Sequence, residues 1–286
     1  MAVLLDGKNT ARVIREEIKK EVALFTREKG YAPGLTVILV GDDPASKVYV
    51  RNKCAACREA GILSETICLP ASTTETDLLR LIDEKNRDKN VNGILTQLPL
   101  PSHIRQEKII EAVSPQKDVD AFHPANVGKI VVGNYSFLPC TPAGVMELLN
   151  RYGISVTGKH CVVVGRSNIV GKPMASLLLE QNGTVTVCHS KTESLSQITR
   201  EADILVSAVG KPRFITADMI KPHSCVIDVG INRLPDGSLC GDVDFANVEP
   251  LVSYITPVPG GVGPMTVAML LRNTLTAAKL QALNDN

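Results

Sequence analysis

The stretch Val162-Val163-Val164-Gly165-Arg166-Ser167-Asn168-Ile169-Val170-Gly171-Lys172-Pro173 is a strand running into a glycine-punctuated turn and then a helix. Gly165 permits the tight turn, and Gly171 lets backbone and ligand approach each other. Ser167 stands where the second glycine of the usual G-x-G-x-x-G pattern lies, and the helix N-terminus attracts an anion. The pattern suits the phosphates of a dinucleotide, although strand-glycine-helix turns without a nucleotide are common.

The next strand sharpens that reading. It ends at Val187-Cys188-His189-Ser190-Lys191-Thr192, where a NAD-specific fold would put an acid on the ribose 2′-hydroxyl, and no acid is there. Arg166, Ser190 and Lys191 instead offer a cation and hydrogen-bond donors, which suit a 2′-phosphate, so NADP is expected over NAD. Taken singly, Arg166 reads equally well as a solvated loop residue and Ser190 as a helix N-cap; their convergence carries the argument. Downstream, Ala208-Val209-Gly210-Lys211-Pro212 and Asp228-Val229-Gly230-Ile231-Asn232-Arg233 follow apolar strands, where loops at the carboxyl ends of a parallel sheet line a ligand crevice. Asp228 reads more readily as a turn brace than as a catalytic group.

Strands expected at 160–164, 184–188, 203–206 and 224–228 alternate with helical or turn segments, the pattern of a βαβ-built parallel sheet. The first half repeats the pattern. Ile14, Ile18, Val22 and Phe25 mark a helix that Gly30 ends, and Gly34–Gly41 reads as a central strand. Asp42 or Asp43 caps a helix reaching Ala60, and Ser72-Thr73-Thr74-Glu75 matches a capping box. A strand at 91–95 and a helix at 103–113 follow. The breaker-rich stretch from Pro115 to Pro142 suits an irregular crossing, after which Thr141 caps a helix with Pro142 in its first turn.

The expected fold class is therefore α/β, with two α/β units, the second a Rossmann-like parallel-sheet nucleotide-binding domain. The first covers 1–139 and the second 140–265, and the tail from Thr266 reads as one more amphipathic helix.

A chain of 286 residues with 44% hydrophobic and 21% charged residues has ample apolar surface for such cores. A formal net charge of +1 gives no field favouring nucleic acid, and 3% aromatics leaves few base-stacking platforms. Eight cysteines, mostly within apolar runs, read as buried free thiols in a reducing compartment. No segment approaches the roughly 20 apolar residues that span a bilayer, so a cytoplasmic location is expected. Cys54 and Cys57 form a C-x-x-C inside a helix with no second pair, and no metal site is expected. His123 and His189 belong to no recognisable nucleophile-base set.

Ser46, Tyr49 and Lys53 fall on one face of the helix after the first buried strand. Tyr49 can stack on a planar ring, and a lysine held partly out of water can move protons near neutrality. Without other signals this pair would read as a surface lysine lying past a packed tyrosine. Gln97, just past a strand in Thr96-Gln97-Leu98-Pro99, points to the same sheet edge, and Asp118 or Asp120 is placed to accept hydrogen bonds from an N–H-rich heterocycle.

Val48-Tyr49-Val50-Arg51-Asn52-Lys53, Gly93–Pro101, Lys117-Asp118-Val119-Asp120, Gly165-Arg166-Ser167 through Pro173, and Pro257-Val258-Pro259-Gly260-Gly261-Val262-Gly263-Pro264-Met265-Thr266 occur in this order along nearly the whole chain. Together they resemble the bifunctional methylenetetrahydrofolate dehydrogenase/methenyltetrahydrofolate cyclohydrolase family, and the last motif is close to diagnostic. The resemblance implies two α/β domains around a cleft, with a C-terminal helix over 266–286 joined to the first domain, and a homodimer formed through the nucleotide domain. It also implies NADP-dependent oxidation of 5,10-methylenetetrahydrofolate and hydrolysis of the methenyl product to 10-formyltetrahydrofolate. It implies catalytic Lys53, Gln97, Tyr49 and Asp120, with Pro259, Gly260 and Gly261 also meeting substrate. Gly165, Arg166, Ser167, Val170, Gly171, Ser190 and Ile231 would hold NADP. Ala121 departs from the glycine that many relatives have there. A monofunctional NAD(P) dehydrogenase of another small substrate is the competing expectation, with Lys53 as its acid-base group; a module that binds ligand without turnover is a third.

Overall fold

The computed structural model describes residues 1–284 and contains two parallel sheets. Its elements begin β1 (Val3–Leu4), α1 (Gly7–Lys29), β2 (Gly34–Val40), α2 (Pro44–Ala60), β3 (Leu63–Leu69), α3 (Glu75–Arg87), β4 (Gly93–Thr96), α4 (Gln106–Ala112) and α5 (Pro124–Val131). They continue with α6 (Cys140–Arg151), β5 (His160–Val164), α7 (Gly171–Glu180), β6 (Thr184–Cys188), α8 (Leu195–Thr199), β7 (Ile204–Ser207), β8 (Cys225–Asp228), β9 (Asn232–Arg233) and β10 (Leu239–Cys240). Last come α9 (Phe245–Val248), β11 (Tyr254–Ile255) and α10 (Val262–Asn284).

The chain divides into two compact units. One comprises Val13–Leu138 and the chain from Val267 onward. Its sheet has the order β3-β2-β4, with Ile38 opposite both Ile67 and Thr96. Every residue of β2 is buried, which its unbroken apolar sequence requires. Ile38, Val40, Leu78, Ile82, Ile94 and Ile109 pack into one core. Asp43 caps α2 by accepting from the Ser46 backbone N–H at 2.7 Å, and Gly61 ends the helix at φ +80°. The C-terminal helix is latched to this unit: Asn273 Nδ2 donates to the carbonyls of Val119 and Leu138, and Gln281 Nε2 to that of Asn92.

The other unit comprises Met1–Arg12 and Pro139–Thr266, with a six-stranded sheet in the order β1-β11-β8-β7-β5-β6. The first twelve residues thus leave the domain to which the sequence assigned them. The Val3 and Leu5 backbone N–H groups donate to the carbonyls of Ser253 and Ile255, both at 2.8 Å, so the N-terminus becomes an edge strand. A two-residue strand shows no periodicity by which its sheet can be read.

Other local differences have similar causes. β3 has no counterpart among the strands expected from the sequence; as a largely exposed edge strand, it lacks the apolar run that marks β2. α5 lies within the stretch read as irregular, with Pro124 in its first turn and His123 Nδ1 accepting from the Ala125 N–H. Thr74 caps α3, exchanging hydrogen bonds with Asp77, because Glu75 is drawn to Arg105. Thr141 lies inside α6, and its hydroxyl meets that of Thr266 at 3.2 Å.

The side chain and backbone N–H of Arg105 hold the Glu75 carboxyl down at about 2, from an ordinary 4.5. Because the folded value is depressed, the pair's contribution is present above the ordinary carboxylate value and is lost as pH falls toward 2. Glu75→Gln is expected to lower the urea midpoint slightly at pH 7 and to flatten its decline between pH 4.5 and 2, read from unfolding curves at each pH.

Candidate active site

In the unit containing β2, Tyr49 and Lys53 lie one turn apart on α2. Lys53 Nζ donates to Gln97 Oε1 at 3.0 Å. Gln97 follows the last residue of β4; its backbone N–H donates to the Ile38 carbonyl at 2.8 Å, and its Nε2 donates to the Leu98 carbonyl at 2.8 Å. Both ends of the amide are therefore committed, with the oxygen turned to the lysine. Lys53 and Gln97 are half-buried, whereas Tyr49 is 43% exposed, leaving its ring available for stacking.

The two aspartates of the Lys117–Asp120 motif differ in role. Asp118 is buried and accepts from the His123 N–H at 2.8 Å and Asn126 Nδ2 at 2.9 Å, so it braces its own loop. Burial pushes its carboxyl up, opposed by these hydrogen bonds. Asp120 is half-buried and lines a small cavity with Thr96, Leu98, Asp118 and Phe122. The Thr96 hydroxyl is buried there without a hydrogen-bond partner, a feature the sequence reading missed. Ala121, between the brace and the cavity, is fully buried at φ +56°, a conformation that costs an alanine and suits glycine.

In the other unit, β5 ends at Val164, and the glycine turn follows. Gly165 has φ +130°, and a Cβ on it would lie 2.4 Å from the Ala208 carbonyl oxygen. A Cβ on Gly171 would lie 2.2 Å from the Gly165 carbonyl oxygen. Ser167 Oγ accepts from the N–H groups of Val170 and Gly171 at 3.2 and 3.3 Å, closing the turn over the start of α7. Arg166 and Ser167 are exposed beside it, and Val170 is half-buried. Past β6, Ser190 and Lys191 are exposed. Ser190 is not a helix cap, since α8 begins at Leu195 after Ser194. This close-packed glycine turn, open to solvent at Arg166 and followed by a β6 end without an acid, fits a dinucleotide carrying an extra phosphate.

Pro259 is exposed and Gly260 half-buried, and the Gly260 carbonyl accepts from the Lys8 N–H at 2.8 Å. A Cβ on Gly7 would lie 1.8 Å from the Gly261 oxygen. The N-terminal segment therefore supports this loop, which nothing in the sequence signalled.

Ile231 is 42% exposed, on a loop tied down by two buried carboxylates. Asp228 accepts from the N–H groups of Gly230, Asp242 and Val243, which makes it the turn brace expected of it. Burial pushes its carboxyl up to about 6, with the neighbouring Asp242 adding to the shift and the Asp242 and Val243 N–H groups opposing it. No local pattern marks Asp242, because Gly241-Asp242-Val243 adjoins only a two-residue strand.

Of the C-x-x-C cysteines, Cys57 is buried, its thiol pushed up to about 12 chiefly by burial, and Cys54 Sγ lies 3.0 Å from Thr66 Oγ1. Among the described residues no group of three or more His, Cys, Asp or Glu is placed to hold a metal ion. No described helix is long and apolar enough to cross a membrane.

Residues 5–120 match the family model described as tetrahydrofolate dehydrogenase/cyclohydrolase, catalytic domain, and residues 139–282 match that of its NAD(P)-binding domain. A bifunctional protein FolD from Acetivibrio thermocellus is 59% identical over 281 residues, 98% of each chain. The crystal structure of a FolD methylenetetrahydrofolate dehydrogenase/cyclohydrolase from Campylobacter jejuni superposes with a TM-score of 0.96 at 52% identity, covering 98% of this chain and 100% of that one. The Trypanosoma brucei FolD, complexed with NADP cofactor and inhibitor, gives a TM-score of 0.95 at 41% identity, covering 98% of both.

The glycine turn predicts a contrast between two alanine substitutions. Gly171→Ala forces a methyl into backbone and is expected to cost about 1–3 kcal/mol. Gly128→Ala, in α5 with nothing within 4 Å of its Cβ position, is expected to gain about 0.5–1 kcal/mol from helix propensity. Urea unfolding of the two variants checks both signs.

Proposed function

Since the chain belongs to the tetrahydrofolate dehydrogenase/cyclohydrolase family, we infer that it oxidises 5,10-methylenetetrahydrofolate with NADP and hydrolyses the methenyl product to 10-formyltetrahydrofolate. The observation that carries the assignment of residues is the 3.0 Å hydrogen bond from Lys53 to Gln97. It gives one amine a fixed direction at the carboxyl edge of a sheet, beside an exposed aromatic ring.

Bound at the glycine turn, NADP would supply the acceptor for a hydride from the one-carbon bridge. Its phosphates are assigned to Gly165, Ser167, Val170 and Gly171, its 2′-phosphate to Arg166 and Ser190, and its nicotinamide half to Ile231. The protein's share in this step is proximity and orientation, which require no strong base.

Hydrolysis adds water to the methenyl carbon, breaks the bond from that carbon to N5, and leaves the formyl group on N10. The attacking water gives up both protons as its oxygen becomes the formyl oxygen: one arrives at N5, and the other is released, which balances the lost positive charge. Lys53 Nζ is the group proposed to hold and relay the proton that reaches N5. Gln97 orients Lys53 through its carbonyl, and Tyr49 stacks on the ring system. Asp120 accepts from the N–H groups of the pterin. The backbone of Pro259, Gly260 and Gly261 is assigned to the flat face of the substrate.

The reading includes a homodimer through the nucleotide-binding unit. β6, one of the two outer strands of the six-stranded sheet, carries the exposed Val187, and such an edge favours pairing. It also includes a cytoplasmic location, in keeping with eight free cysteines.

Lys53→Met is expected to slow methenyl hydrolysis by about 10²–10⁴-fold. The decay of the methenyl chromophore in stopped flow without nucleotide measures this, while calorimetry should find NADP binding intact. Retained hydrolysis would remove Lys53 from the mechanism, and an unmodified chain that oxidises but never hydrolyses would favour a monofunctional dehydrogenase. Arg166→Ala is expected to narrow the preference for NADP over NAD by about tenfold, the value of one charge-assisted contact, read from kcat/KM for each nucleotide.

A further inference from the structure

Asp242 is fully buried, and its carboxylate gathers donors from two separate loops. Oδ2 accepts from the N–H groups of Val209 and Gly210 at 2.7 and 3.1 Å and from Ser207 Oγ at 3.3 Å. Oδ1 accepts from the Lys211 N–H and from Asn232 Nδ2, both at 3.0 Å. Three successive amides past the end of β7 thus converge on one carboxylate, the arrangement by which backbone nests hold an anion. The same carboxylate grips the loop past β8 through Asn232, next to the exposed Ile231.

Asp228 holds this group in place. It accepts from the Asp242 and Val243 N–H groups at 2.9 and 2.8 Å and from the Gly230 N–H at 2.9 Å. A Cβ on Gly230 would lie 2.1 Å from Asp242 Oδ1, and one on Gly241 would lie 1.8 Å from Asp228 Oδ2. Both glycines are therefore required for the carboxylates to reach their amides.

The sheet order β8-β7-β5-β6 puts these two loops on one side of the glycine turn, with the β6 end on the other. A dinucleotide whose pyrophosphate lies at the turn after β5 and whose 2′-phosphate lies past β6 must extend its other half over the ends of β7 and β8. We propose that Asp242 is a positioning residue for hydride transfer: it sets the 208–211 and 229–232 loops against the nicotinamide half of NADP without touching it. The proposal rests on the assignment of NADP to this unit.

The test is Asp242→Asn, which keeps the shape of the side chain but replaces one accepting oxygen with a donor facing backbone N–H groups. The kcat for oxidation is expected to fall at least tenfold, with the NADP dissociation constant by calorimetry within about threefold, because the phosphate contacts remain. Methenyl hydrolysis without nucleotide is expected to stay within twofold. Without any ligand, hydrogen exchange at 208–211 and 229–232 is expected to accelerate more than elsewhere in the sheet. Asn232→Ala, which removes only the tether beside Ile231, is expected to give the same pattern more weakly and serves if the first variant does not fold. Normal kcat in a folded Asp242→Asn overturns the proposal. So does a parallel loss of hydrolysis, nucleotide affinity and thermal stability, which marks a general brace. If the unmodified chain binds no NADP, the functional reading fails first and this inference falls with it.

Discussion

Burial of the parallel strands on both faces decides where chemistry can sit in this protein. Every residue of β2, β7 and β8 is buried, as are Cys161–Val164 of β5. An unpaired polar group along such a strand would lose its water without compensation. Groups open to a ligand therefore gather just past the strand ends, with Gln97 after β4, Gly165-Arg166-Ser167 after β5, Ser190 after β6 and Ile231 after β8, or on the helix that follows a strand, as Tyr49 and Lys53 do on α2. In each unit the sheet is the scaffold, and the loop beyond it carries the variable chemistry.

The carboxylates show how the same residue type is put to different uses. Asp118, Asp228 and Asp242 are buried and accept from backbone N–H groups, with side-chain amides adding to Asp118 and Asp242. Such acids hold loops in shape, since a buried carboxylate must collect donors to remain there. Asp120, two residues from Asp118, is half-buried and lines a cavity. Gln97 mediates between these uses, because its amide is anchored by Leu98 yet presents an oxygen to Lys53.

Much of the fold could be read locally. The apolar runs at 34–40, 160–164 and 225–228 appear as β2, β5 and β8, and the Asp43 cap with its Gly61 stop bounds α2. What escaped were elements without a periodic signature. β1 is two residues long, β3 is half-exposed, and α5 is announced only by a proline. The α3 cap fell on Thr74 because Glu75 had a stronger partner in Arg105, thirty residues away in sequence.

The sequence by itself determined the α/β class, the glycine turn, the lack of an acid at the very end of β6, and the placing of Tyr49 and Lys53 on one face of a helix. All of these depend on residue type and short spacing, which a chain displays without folding. Only the tertiary structure decided that Lys53 meets Gln97 at 3.0 Å, that Asp118 braces while Asp120 lines a cavity, and that Asp242 ties two loops together. Those outcomes depend on which donors arrive at a given oxygen once the chain has folded. For Gln97 and Asp242 the donors lie far off in sequence. Strand order brings them in, and strand order comes from packing the whole sheet rather than from any single segment.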